Sequence, residues 1–211
     1  MIQSSYTYAN AAIDTDPNVL QDIHAASKNI AIYQRNIALL KNELHQLATQ
    51  TIECRASGTI DNVLGKVQAY LVSTSGAYPF LLDDISELLG LFQKVTKAST
   101  FRLLLSTVST NMCRKFHSDI NNLRMLCTYI GPGTRWIPDE AIDLDAMARK
   151  EDTAIDLQKV QQAGTGEVVV LKGALYPGAN PILHRSPTIE EKGERRLLLR
   201  IDTNESLNLF G

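Results

Sequence analysis

The chain has 211 residues, of which 44% are apolar and 21% charged, a balance that excludes disorder and fibrous architectures and suits one large domain or one domain with an appendage. With 21 basic against 23 acidic residues and no sustained basic run, the charge pattern argues against nucleic acid as a partner. No apolar stretch approaches the roughly 18 residues needed to span a bilayer, and "MIQSSYTYANAAIDTD" at the N-terminus has neither the basic nor the apolar part of a signal peptide. A cytoplasmic protein without membrane contact is the expectation. Cys54, Cys113 and Cys127 are odd in number and lie in unrelated contexts, which predicts reduced thiols rather than a disulfide framework.

Residues 1–100 predict a mainly helical region. Asp16-Pro17 reads as a cap and first turn leading into "NVLQDIHAAS", and "RNIALLKNELHQLATQ" spaces Ile37, Leu40, Leu44 and Leu47 along one helical face. Between them "NIAIYQ" is short and β-branched, as a strand would be. "GTIDNVLGKVQAYLVS" and "LLDDISELLGLFQKVTKAS" again have helical periodicity, with Asp83 or Asp84 as a candidate cap for the second.

From Phe101 the texture changes. "FRLLLSTVST", "LRMLCTYI", "EVVVLKGALY" and "RRLLLRIDT" are short, apolar or β-branched, and bounded by Gly, Pro, Asn and Asp, so residues 101–211 predict an antiparallel sandwich or small barrel. Within it, residues 137–166 form a long acidic excursion containing the helix-like "DEAIDLDAMARK", placed where long loops tend to carry function. The two parts together predict an α+β fold in one compact unit.

The chemistry-bearing residues lie in the second part. On an extended backbone side chains two apart point the same way, so His117 and Asp119 in "CRKFHSD" can converge on one ion. Alone, such a pair is as readily a histidine bonded to a nearby carboxylate. The pair gains meaning from His184, 67 positions later, and from Arg195 and Arg196, 11 and 12 positions beyond that. Two histidines and one carboxylate on one face of an octahedral ion leave positions open, the arrangement of non-haem Fe(II) oxygenases. An arginine beyond the last histidine would offer a planar fork to the distal carboxylate of a 2-oxo acid.

This order of His-x-Asp, apolar strand, Gly-Glu-Val-Val-Val strand, distal His and Arg resembles the double-stranded β-helix, a cupin-like jelly roll, of Fe(II) and 2-oxoglutarate-dependent dioxygenases, over roughly residues 101–203. More narrowly, "CRKFHSD", "LRMLCTYIGPGTRW" and "HRSP" with "RRLLLRID" resemble a bacterial family known as domain of unknown function 1826, over most of the chain. The dioxygenase resemblance implies His117, Asp119 and His184 as both metal ligands and catalytic centre, with Arg196 or Arg195 as the 2-oxoglutarate anchor. Neighbours on a strand face opposite ways, so only one arginine can enter a barrel. The run "RLLLRID" favours Arg196, while the more apolar face shared by Arg195, Leu197, Leu199 and Ile201 would suit an interior, and the choice stays open.

Lys172 and Tyr129 are further candidates for contacting the cosubstrate, each with an ordinary strand role as the alternative. "GPGTRW" forces a tight turn presenting Arg135 and Trp136, either to substrate or, for the tryptophan, to the core. Cys127 reads as a small core residue and Cys113, beside Arg114 and Lys115, as a thiol of uncertain role. His24 and His45 lie in helical segments without ligand spacing. No phosphate-binding Gly-rich loop or Gly-x-Ser-x-Gly elbow is present. The expected activity is hydroxylation of a small-molecule or peptide substrate; the alternative is a zinc-holding cupin-like protein without oxygen chemistry, in which the same three ligands bind Zn(II). The oligomeric state is not encoded in any pattern of the sequence.

Overall fold

The computed structural model describes residues 8–74, 76–143, 145–146, 149, 155–178 and 180–204. Its architecture follows from the two-residue alternation of the strands. Phe101, Leu103 and Leu105 of β4 (Phe101–Val108), Met125, Cys127 and Tyr129 of β5 (Leu123–Ile130), and Leu197, Leu199 and Ile201 of β10 (Arg196–Thr203) are buried in one large core. Residues one position out of phase therefore face the other way.

Seven strands make the main sheet. In chain order they are β1 (Ala11–Asp14), β2 (Ile30–Tyr33), β3 (Glu53–Gly58), β4, β5, β8 (Val168–Lys172) and β10, and in space the order is β1-β2-β8-β5-β10-β4-β3. β1 and β2 are parallel; the other pairs are antiparallel. A second sheet of β6 (Arg135–Trp136), β7 (Gln161–Gln162) and β9 (His184–Arg185) has the order β7-β6-β9, and the backbone of His117 adds a bridge to His184 at its edge.

Two cores lie on the two faces of the main sheet. On one, Val63, Val67 and Leu71 of α2 (Ile60–Thr74) and Leu81, Ile85, Leu88 and Phe92 of α3 (Pro79–Thr96) cover the strands, their spacing of three and four residues forming the apolar stripe each helix needs. On the other, Leu126, Val169, Leu171, Ile30 and Ile32 pack with Trp136, Ala163 and Ile182 from the region of the small sheet. The result is a mixed α/β fold in which two sheets face each other and helices back the larger one.

The first hundred residues depart from the helical expectation. Three of their segments are strands that widen the main sheet at both edges, β2 being the one legible in "NIAIYQ". The segment Pro17–His24 forms a 3-10 helix, with Asp16 accepting from the Asn18 amide at 2.9 Å, and "RNIALLKNELHQLATQ" narrows to α1 (Lys41–Leu47) after a 3-10 turn. α3 begins at Pro79, before Asp83 and Asp84, so neither caps it. Instead Glu43 of α1 reaches across, accepting from the amides of Phe80 at 3.1 Å and Leu81 at 2.7 Å, which satisfies two of the helix's orphan donors. In the 137–166 excursion, Asp139–Ala141 is a 3-10 turn and Ile142 bridges Ile155; Leu144, Met147, Ala148 and Lys150 of "DEAIDLDAMARK" lie outside the described residues.

Candidate metal centre

His117 and His184 come together because their backbones pair: each amide donates to the other's carbonyl, at 3.0 and 2.9 Å. That antiparallel bridge sets the two rings side by side, with centroids 4.7 Å apart. Asp119, two residues along, brings its carboxylate to the same point, 3.8 Å from His117 Nε2 through Oδ1 and 3.3 Å from His184 Nε2 through Oδ2. One donor atom from each of the three residues lies within 4.8 Å of the others. A first-row ion with ligands about 2.1 Å away spaces neighbouring donors about 3 Å apart, close to this arrangement.

The second nitrogens fix the orientation of the rings. Nδ1 of His117 lies 3.1 Å from the Lys115 carbonyl and Nδ1 of His184 lies 3.4 Å from that of Ile182. Donating from Nδ1 leaves both Nε2 lone pairs for a metal, the outer support that ligand histidines ordinarily have. Asp119 Oδ2 is buried and has no aligned hydrogen bond, although Arg124 Nη1 is 2.6 Å away. Distance makes this an ion pair while direction denies it a hydrogen bond, so a cation between the carboxylate and the rings would satisfy what the protein leaves open. Burial pushes the Asp119 carboxyl up, but the His184 contact and the charges of Arg124, His184 and His117 outweigh it and hold the group below its ordinary value. His117 is the most exposed of the three, at 38%, against 7% for His184 and 12% for Asp119, so the centre opens to solvent on the His117 side.

The arginines separate as alternation requires. Arg196 is 1% exposed and points to the face shared with Thr128, donating from Nη2 to Thr128 Oγ1 at 3.0 Å, while its Nε has no partner among the described residues. Arg196 has no carboxylate partner among the described residues, and burial lowers its pKa to about 10, leaving it charged at neutral pH. Arg195 lies outside, its Nη2 donating to the Gln50 carbonyl at 3.2 Å. The uniformly apolar face that seemed suited to a barrel interior is the one packed on the helices.

Lys172 and Tyr129 also lie on that helix-packed side, away from the metal centre. Lys172 Nζ donates to the Ala25 carbonyl at 2.9 Å and sits over the Tyr176 ring. Tyr129 donates to Asp84 Oδ2 at 2.6 Å, in a network where Arg35 also grips Asp84. Cys127 is beside it, its thiol pushed up to about 11 by burial, so it stays protonated and inert. Trp136 is 2% exposed and belongs to the core. His24 bonds Tyr176 Oη and the Val95 carbonyl, a packing role.

Two neighbours of these residues are not singled out by the sequence pattern. Arg124 of β5 joins Asp119 to Asp202 of β10, with Nε 2.7 Å from Asp202 Oδ1 and Nη2 3.1 Å from Oδ2, and Thr128 receives Arg196. The signal was the alternation itself: Arg124, Leu126 and Thr128 share the face opposite Met125, Cys127 and Tyr129, and Arg196, Leu198, Arg200 and Asp202 the corresponding face of β10.

In fold the chain is similar to a dioxygenase for auxin oxidation from rice, over 90% of this chain and 78% of that one, with a TM-score of 0.51 and 12% identity. A weaker likeness links it to a prolyl-4-hydroxylase of Pseudomonas putida, covering 88% and 96% with a TM-score of 0.45 and 10% identity. No curated protein matches it in sequence. Residues 14–202 match the family model described as "Protein of unknown function (DUF1826)", and the chain belongs to that family.

Proposed function

We propose that the protein is an Fe(II) and 2-oxoglutarate-dependent dioxygenase built on a double-stranded β-helix, its two facing sheets forming the barrel. His117, Asp119 and His184 would hold the iron, and Arg196 would anchor the distal carboxylate of 2-oxoglutarate. The observation that carries this reading is Arg196: a buried guanidinium with an unpartnered Nε and no carboxylate, one strand beyond the distal histidine. A buried cation is costly unless paired. A zinc-holding module has no use for it, whereas a dicarboxylate chelating the metal at one end needs a cation at the other.

Iron with bound 2-oxoglutarate supplies O2 activation, converting the 2-oxo acid to succinate and CO2 and delivering one oxygen atom to a substrate C–H bond. The protein's residues do the rest by position. Asp119 and the two histidines would hold the ion from one side, leaving room on the other for a chelating cosubstrate. Arg124 holds Asp119 in place through its grip on Asp202. Thr128 sets the direction of Arg196, and the exposed edge at His117 gives the approach for substrate. A cytoplasmic setting, expected from the sequence, would supply the reducing conditions that Fe(II) requires; among the described residues no helix is long and apolar enough to cross a membrane.

Succinate formation in air tests the reading. Fe(II)-loaded protein given 2-oxoglutarate without substrate is expected to release succinate slowly, and His184→Ala to release none above background. Equal release by both would show that the three residues do not hold the catalytic metal.

A further inference from the structure

On the strand face shared with Asp202, at the β10-β4-β3 edge of the main sheet, a groove of about 310 Å³ is lined by Arg55, Lys66, Arg102, Arg200 and Asp202. Its volume falls at the lower end of small-molecule sites, which begin near ~300 Å³. The lining is cationic beyond what its own carboxylate can balance. Asp202 already accepts Nε and Nη2 of Arg124 and Nδ2 of Asn121, and Arg200 Nε adds a fourth contact at 3.3 Å. Arg55 pairs outward with Glu53. Among the described residues Lys66 Nζ has only the Ser57 carbonyl, at 3.0 Å. Arg102 reaches the Thr203 carbonyl at 3.5 Å, and among the described residues its buried Nε has no partner.

The groove adjoins the metal centre through one side chain. Asp202 at its floor is bonded to Arg124, and the other end of that guanidinium touches Asp119. Burial lowers Arg200, Asp202 offsets part of that, and the charges of Arg124 and Arg55 lower it further, as expected where like charges converge without enough anions. A long polyanion would need basic surface extending beyond one groove, which a chain of net charge −2 does not supply.

We propose that this groove binds the anionic group, a carboxylate or a phosphate, of a small-molecule substrate held beside the metal. That the bound molecule is the substrate rests on the dioxygenase reading above; that an anion binds here does not. Arg102 and Arg200 supply the forks that match either oxyanion, while Arg196 serves a different carboxylate.

The test is a titration of the metal-free full chain at constant ionic strength, with inorganic phosphate in one arm and acetate in the other. The side-chain Nε–Hε NMR signals of Arg102, Arg200, Arg196 and the exposed Arg114 are followed, assigned through single Arg→Lys variants. Saturable shifts of Arg102 and Arg200 together, with Arg114 unmoved, are expected in at least one arm; the stronger arm identifies the chemistry of the ligand. In Arg200→Gln the affinity read at Arg102 should fall about tenfold or more. If that variant fails to fold, Arg55→Gln, at an exposed position, should weaken the same binding by a smaller factor. Signals that stay still, or drift linearly along with Arg114, would overturn the proposal. Formation of the Fe(II)–2-oxoglutarate chelate is scored separately: its failure with saturable groove binding refutes the dioxygenase reading alone, and the converse refutes the groove alone.

Discussion

Arg196 and Asp119 carry opposite halves of the electrostatic design. Arg196 is a buried cation with no carboxylate beside it among the described residues, and Asp119 a partly buried anion paired with Arg124 on one side and facing the two histidines on the other. Replacing Arg196 by Leu should weaken 2-oxoglutarate binding by about 100-fold or more, since charge-assisted hydrogen bonds contribute about 1.5–3 kcal/mol each. Arg196→Lys should recover only part of this, because an ammonium lacks the planar fork; calorimetric titration of the metal-loaded variants measures both. Asp119 has a lowered folded-state value, so its contacts with His184 and Arg124 stabilise the metal-free protein fully above the ordinary carboxyl value of 3.8 and lose that contribution as pH falls through the lowered one. Urea midpoints of wild type and Asp119→Asn should therefore differ by a constant amount near neutrality and converge only below about pH 4.

Helix α3 is pinned to the sheet by groups that do no chemistry. Asp84 takes Arg35 Nη2 at 2.9 Å and Tyr129 Oη at 2.6 Å, and Arg35 is only 8% exposed. Asp84→Ala should cost about 3–5 kcal/mol by leaving a buried guanidinium unpaired, and Glu43→Ala about 1–2 kcal/mol by uncapping the same helix; chemical denaturation would read both. These contacts explain what could and could not be seen in the sequence. The strands β4, β5, β8 and β10 were legible because each carries a two-residue alternation or a short apolar run between turn residues. β1 and β3 were not, since "AAID" and "ECRASG" owe their extension to edge pairing with β2 and β4 rather than to their own composition. The cap of α3 was misplaced at Asp83 or Asp84 because the true acceptor, Glu43, lies 37 residues from Phe80. His117, Asp119 and His184 could be grouped from order and spacing, whereas Arg124 hid as one charge within an apolar strand.

At the scale of the molecule, the main sheet keeps its large apolar core and its cluster of charged side chains on separate faces. Its helix side holds the large apolar core, with Lys172, Tyr129 and Cys127 in packing roles. Its other side carries Arg196, Arg124, Asp202 and the basic groove, closed in part by the small sheet that brings His184 against His117. Gly131 sits where the two sides meet: it has φ near +80°, and any Cβ there would collide with the Arg195 carbonyl and crowd Arg196. Gly131→Ala should therefore lower both thermal stability and 2-oxoglutarate affinity. The proposed function rests on a metal at His117, Asp119 and His184 that shares one dicarboxylate with Arg196. Its most direct test is anaerobic titration of Fe(II)-reconstituted protein with 2-oxoglutarate, watching for the weak visible charge-transfer band of the chelate. A saturable band is expected for wild type and a much higher half-saturation for Arg196→Leu; no band, with stoichiometric zinc in the protein as isolated, would rule the dioxygenase out.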